Sequence, residues 1–179
     1  MLKKPFPLWP LGLLLIFSFN SCEKKPKITE APEIQEVTVA LTPSNLEIKG
    51  ELFTVKLSDL KIVKTVNTST EELATTPSLK GSIKISNDST NILDIERVTM
   101  QYLDSSGNAI PFENGEKEAG VRGYWSDIQP GTDSEASLDV RVPMAAVKEK
   151  SINKIRSHVV YIPVPLKKET MEFALEMEE

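Results

Sequence analysis

From Leu79 to Ser86 the chain alternates without a fault: Leu79, Gly81, Ile83 and Ile85 fall on one side, Lys80, Ser82, Lys84 and Ser86 on the other. A two-residue period of this kind predicts a half-buried strand. The same period recurs in Ala136, Leu138, Val140 and Val142 against Ser137, Asp139 and Arg141. It returns in Met171, Phe173, Leu175 and Met177 against Glu172, Ala174 and Glu176. Two segments change phase partway. Phe53, Val55 and Leu57 hold one phase and Leu60 and Ile62 the other, so a long strand broken at Ser58-Asp59 is predicted. Leu93 and Ile95 are likewise out of step with Val98, Met100 and Tyr102, and a bulge near Glu96 and Arg97 would restore the facing. Ile155 to Ile162 reads as a further strand, and Glu36 to Leu41 as one more at an edge.

The punctuation between these runs is turn chemistry. Asn87 to Asn91 is a polar turn, and Asp104-Ser105-Ser106-Gly107-Asn108 is another, from which Ala109 to Phe112 is predicted to return as a short hairpin strand. Gln129-Pro130-Gly131 is a Pro-Gly turn leading into the Ala136 strand. Pro143 to Ser151 carries helix formers behind a proline suited to a first turn, which predicts one short crossover helix. About seven strands with regular turn spacing and scarcely any helix predict an all-β fold, an immunoglobulin-like antiparallel β-sandwich, over residues 34–179.

The first third of a hundred residues follows another grammar. Lys3 and Lys4 precede an apolar run from Leu8 to Phe19, about a dozen residues. That is short of the roughly 20 a membrane-spanning helix needs and fits a secretory leader. The segment Phe19-Asn20-Ser21-Cys22 resembles the lipobox of bacterial lipoproteins in its cysteine, the small Ser21 and the upstream charge and apolar pattern. The resemblance implies removal of residues 1–21 as a signal peptide, a diacylglyceryl group on the Cys22 sulfur, and fatty acid such as palmitate on the new amino terminus. Several acyl chains at about 0.8 kcal/mol per buried methylene anchor a protein stably to a membrane, where one is marginal. Lipidation also disposes of a thiol that would be a liability in an oxidising compartment. Residues 22–33, with Pro26, Pro32 and mixed charges, then read as a flexible tether. The expected location is the bacterial cell envelope, lipid-anchored and facing the periplasm or exterior.

Composition narrows the function classes. The 179 residues carry 21 basic and 26 acidic side chains, a net charge of −5. Loss of Lys3 and Lys4 with the leader would make the chain more acidic still. Such a balance argues against a nucleic-acid partner, because phosphate neutralisation needs a basic face. One Cys and one His exclude an internal disulfide and a Cys/His zinc site.

The search for chemistry is correspondingly lean. His158 lies in a predicted strand, no G-x-S-x-G elbow or phosphate-cradling glycine loop accompanies it, and packing or solvent exposure is its expected role. Asp104 to Asn108 holds calcium-type oxygens beside a glycine but lacks the spacing and terminal Glu of a calcium loop, so it reads as a turn. The most suggestive stretch is Gly120-Val121-Arg122-Gly123-Tyr124-Trp125-Ser126-Asp127. Arg and aromatics are common interface anchors, so Arg122, Tyr124 and Trp125 form a candidate interaction surface. Neighbours in extended chain face opposite sides, so at most one of the two aromatics need be core. The preferred reading of the pair is a Trp125 that plugs the sandwich with Tyr124 over its edge.

Three motifs together, Ile85-Ser86-Asn87-Asp88-Ser89, then Tyr102-Leu103-Asp104-Ser105-Ser106-Gly107, then Gln129-Pro130-Gly131, make the segment from about Leu52 to Met177 similar to the FxLYD-type domains of bacterial envelope lipoproteins. The chain carries Tyr-Leu-Asp where that family has Leu-Tyr-Asp. The resemblance implies a non-catalytic sandwich and transfers no functional residue. The expectation is a membrane-anchored envelope lipoprotein, not an enzyme, without metal or cofactor, whose sandwich binds an envelope protein partner or subunit through an exposed strand edge or the loop around Trp125. Its alternative is a structural or assembly lipoprotein with no discrete ligand. An enzyme or solute-binding protein ranks last.

Overall fold

A computed structural model describes residues 33–162 and 167–177. The chain divides into two units, Met1–Ala31 and Pro32–Glu179, and all the described residues belong to the second. The predicted leader, Cys22 and the tether up to Pro32 lie outside the described residues. In chain order the elements are β1 (Ile34–Thr42), β2 (Leu46–Lys49), β3 (Phe53–Asn67), β4 (Ser78–Asn87), β5 (Asp94–Leu103), β6 (Ala119–Val121) and β7 (Asp133–Arg141). There follow α1 (Met144–Lys148), β8 (Lys154–Ile162), β9 (Lys167–Ala174) and β10 (Glu176–Met177).

Two antiparallel sheets result. One runs β10-β1-β3-β4-β7, with β2 also on β3; the other runs β6-β5-β8-β9. Without β1, β2 and β10, the paths β3-β4-β7 and β6-β5-β8-β9 are the immunoglobulin connection pattern, so the expected all-β sandwich is what forms. The alternating apolar positions point inward from both sheets. Phe53 of β3 meets Tyr161 of β8 edge to face, with ring centroids 5.1 Å apart.

Both predicted phase breaks are bulges. In β3 the register with β4 shifts between Ser58 and Lys61, and in β5 the register with β8 shifts between Ile95 and Arg97. Each lets apolar residues on both sides of the break reach the same core: Leu57 and Leu60 are buried, as are Ile95 and Val98. The β3 bulge also divides its outer edge. β1 pairs with Lys61–Asn67 and β2 with Thr54–Leu57, while the intervening loop meets the bulge through Leu60 N–H on Ser44 O at 3.0 Å.

Four expectations are corrected. Ten strands form among the described residues, not about seven, because β2, β6 and β10 are too short to show a period. Ala109 to Phe112 is not a strand. Ala109 makes an isolated bridge to Leu103 and Ile110 N–H reaches Tyr102 O, but Pro111 has no N–H to continue a ladder. The last strand starts at Lys167 and breaks at Leu175, where β10 leaves β9 and pairs with Leu41 and Thr42 of β1. The helix is one turn shorter than predicted. It starts behind Pro143 and stops before Lys150, whose φ of 49° leaves the right-handed region. Ala146 and Val147 bury its inner side over one end of the sandwich.

Candidate functional site

The stretch containing Arg122, Tyr124 and Trp125 is held along β5. β6 pairs Val121 with Val98 and Ala119 with Met100. Further on, Trp125 O accepts from Ile95 N–H at 3.1 Å, and Ile128 exchanges both backbone bonds with Leu93. Between those fastenings the chain bows away from the ladder. Ala119, Val121, Trp125 and Ile128 face inward and are buried, whereas Arg122, Gly123 and Tyr124 are exposed.

The structure therefore separates the three candidate residues. Trp125 is 4% exposed and belongs to the core; it is not part of a surface, because its position has the inward phase set by the Ile95 and Ile128 fastenings. Its ring lies against Gly123, where a Cβ would stand 2.2 Å from the indole. Only glycine leaves room for that approach. Tyr124, next in the chain, is 79% exposed, and its backbone oxygen accepts from Ser134 Oγ of β7 at 3.2 Å. Arg122 lies near the pair that Asp139 makes with Lys80 at 2.6 Å. The Asp139 carboxyl is held below its ordinary range, first by the Lys80 hydrogen bond and in smaller part by the charges of Lys80 and Arg122.

A second polar cluster, unforeseen from the sequence, lies on the outer face of the β6-β5-β8-β9 sheet. Glu118 accepts from Thr99 Oγ1 at 2.7 Å and from Gln101 Nε2 at 2.9 Å. His158 Nδ1 stands 3.2 Å from the same carboxylate, with its side chain 12% exposed. The residues come from β5, β8 and the turn before β6. Their one signal in the sequence is outward phase, and it acquires meaning only once Thr99 is paired with His158. This placement gives His158 a carboxylate neighbour on a sheet face.

Asp104 is a turn residue. Its carboxylate accepts from Ser106 N–H at 2.9 Å and Asn108 N–H at 2.8 Å, and the Asn108 bond foremost holds its pKa below the usual carboxylate range. Oxygens committed in this way close a hairpin loop. Among the described residues no group of three or more His, Cys, Asp or Glu side chains is placed to hold a metal ion. Among them, too, no helix is long and apolar enough to cross a membrane.

No family model matches the chain. No curated protein matches it either. Among solved structures the chain is similar to the crystal structure of a conserved hypothetical protein from Bacillus anthracis, at 12% identity and a TM-score of 0.38, over 79% of this chain and 99% of that one.

Proposed function

We propose that the protein is a bacterial envelope lipoprotein, anchored to a membrane through lipid on Cys22, whose FxLYD-like sandwich is a non-catalytic interaction module. The leader pattern ending in Ser21-Cys22 supports the anchor. Tyr124 carries the interaction reading. It is 79% exposed, the largest exposure among the large apolar side chains of the described residues, yet its backbone is pinned by Ser134 and its neighbour Trp125 is packed in the core. A large aromatic on a fixed mount loses little entropy on binding, and Arg122, two positions before it and also exposed, supplies a cation of the kind that accompanies aromatics in many binding hot spots.

Two experiments test the two halves. Cells fed a radiolabelled palmitate should label the protein, and Cys22→Ala should abolish the label; an unlabelled wild-type chain would end the anchor reading. Crosslinking in intact envelopes should capture a partner that Tyr124→Ala and Arg122→Ala both release while the circular dichroism spectrum is kept. An identical crosslink pattern in wild type and variants would favour a structural lipoprotein with no discrete ligand.

A further inference from the structure

Among the described residues, the edge strand β6 has three residues and its ladder is with β5. Directly after it the chain bows out to present Arg122 and Tyr124. Glu118, the residue before β6, gives that strand a second hold. Its carboxylate crosses the outer face of β5, accepts from Thr99 Oγ1 at 2.7 Å and Gln101 Nε2 at 2.9 Å, and comes within 3.2 Å of His158 Nδ1 on β8. The His158 side chain is 12% exposed and its Nδ1 is closed off from solvent. An ionised carboxylate only accepts, so the Nδ1 that faces it carries a hydrogen even in the neutral ring. A second proton, on Nε2, then changes the charge of the ring without changing its neighbour.

We propose that Glu118 and His158 form a proton-linked clasp on β6: on taking up its second proton the imidazole draws the carboxylate harder, and β6 with it, so the mount of Tyr124 stiffens as pH falls and slackens as pH rises through the titration of His158. The charges around the ring fix that sign. Glu118 is the charge in contact. On β5, Arg97 lines the same hollow as Thr99, Glu118, His158 and Val160 and opposes the proton, but it is exposed and screened by water. On β9, Thr170 stands opposite His158 in the ladder, with Lys168 and Glu172 two positions to either side. On β8 itself, Arg156 is bound to Glu172 through Nε at 2.8 Å. The contact with Glu118 therefore favours the charged ring, by the modest amount that a partly exposed pair allows. Imidazole is the side chain that ordinarily changes charge between pH 5 and 8, and a protein outside the cytosol meets the pH of its surroundings. The step from clasp to partner rests on the Tyr124 reading above, whereas the clasp itself does not.

His158 is the one histidine of the chain, so its imidazole NMR signals titrate without overlap from another ring. With the full chain in detergent, the wild-type midpoint should lie about 0.3 pH unit above that of Glu118→Gln, the mark of a twofold preference of the charged ring for the carboxylate. Amide exchange at Ala119–Val121, corrected for its intrinsic dependence on pH, should be about twofold slower at pH 6 than at pH 8 in wild type. In Glu118→Gln and in His158→Gln it should be alike at the two pH values. A twofold effect is about 0.4 kcal/mol, which a urea midpoint hardly registers, so exchange at β6 is the readout. A midpoint that Glu118→Gln leaves in place or raises, wild-type exchange that is the same at pH 6 and pH 8, or a pH dependence that survives in both variants would each overturn the proposal. Neither measurement involves a partner, so failure here leaves the Tyr124 reading to its own experiment.

Discussion

Asn87 shows how much one side chain can fasten. It is 1% exposed, its Nδ2 donates to Asn91 O and Ile128 O at 2.7 Å each, and its Oδ1 accepts from Ser89 N–H and Ser89 Oγ. One residue thereby ties the β4–β5 turn to the segment before β7. Asn87→Ala removes all four of these bonds, leaving Ile128 O with only Leu93 N–H and Asn91 O with only Ser89 Oγ, and should cost about 1–3 kcal/mol in urea denaturation. Asn87→Asp, which turns an acceptor toward those two carbonyls, should cost more. The sequence shows Asn87 only as a turn former, since its partner Ile128 is 41 positions away. Gly123→Ala should likewise destabilise, by about 1–3 kcal/mol, because the new methyl must displace the Trp125 ring. A red shift of tryptophan emission would report that displacement. Tyr124→Ala, by contrast, should leave stability within about 0.5 kcal/mol of wild type, as its side chain is mostly in solvent. Alternation limits the core to at most one of Tyr124 and Trp125, and the expected Trp125 is the buried one; the Ile95 bond that fixes this phase, a contact across 30 positions, was not legible.

At the scale of elements, hydrophobic phase was the readable quantity. The breaks at Ser58-Asp59 and at Glu96 could be found because each flips which alternate residues are apolar, and a buried face tolerates no such flip without an extra residue. β2 and β6, with four residues and three, offer too few positions to establish a period. Ala109 to Phe112 offered the apolar pattern but had Pro111 within it. Contact between elements was not legible at all, and Gly81 illustrates the consequence. In the sequence it is simply an inward position of β4. In the structure it lies beneath the β3 bulge with φ of 151°, and a Cβ there would come 2.5 Å from Ser58 O. Gly81→Ala should therefore cost about 2–4 kcal/mol, combining overpacking with backbone strain. Equilibrium unfolding measures this directly. Deleting one residue of the bulge in the same chain should relieve the clash but throw Leu60 and Ile62 out of phase, so it should not rescue stability.

The response of the whole molecule to pH follows from two sets of groups that face opposite ways. Asp104, Glu116, Asp133, Asp139 and Glu172 are all held below their ordinary range, by Asn108, Asn114, Lys84, Lys80 and Arg156 respectively as the foremost cause. A depressed folded pKa contributes stability above the unfolded value near 4 and loses it as pH falls through the folded value. Urea midpoints should thus be flat around neutrality and decline from about pH 4 downward. Added salt should soften the part due to the exposed pairs of Asp133, Asp139 and Glu172, while the hydrogen-bonded Asp104 should keep its share. The alkaline side is set by buried phenols. Burial pushes Tyr102 far above its usual pKa, and raises Tyr161 as well, with the charges of Glu169 and Glu51 adding to it. A raised folded pKa gives stability that is complete below the unfolded value near 10 and is lost above it. Tyr102 separates this charge effect from packing. Its hydroxyl is buried without a hydrogen-bond partner among the described residues, while its ring stacks edge to face with Phe112 at 6.4 Å. Tyr102→Phe keeps the ring and deletes an unpaired polar group, so it should stabilise the protein by about 1 kcal/mol at neutral pH. The gain should widen above pH 10, where only the wild-type unfolded chain can ionise at this position. A Tyr102→Phe protein less stable than wild type at pH 7, or one with an unchanged alkaline limb, would show that the phenol has a partner in the core.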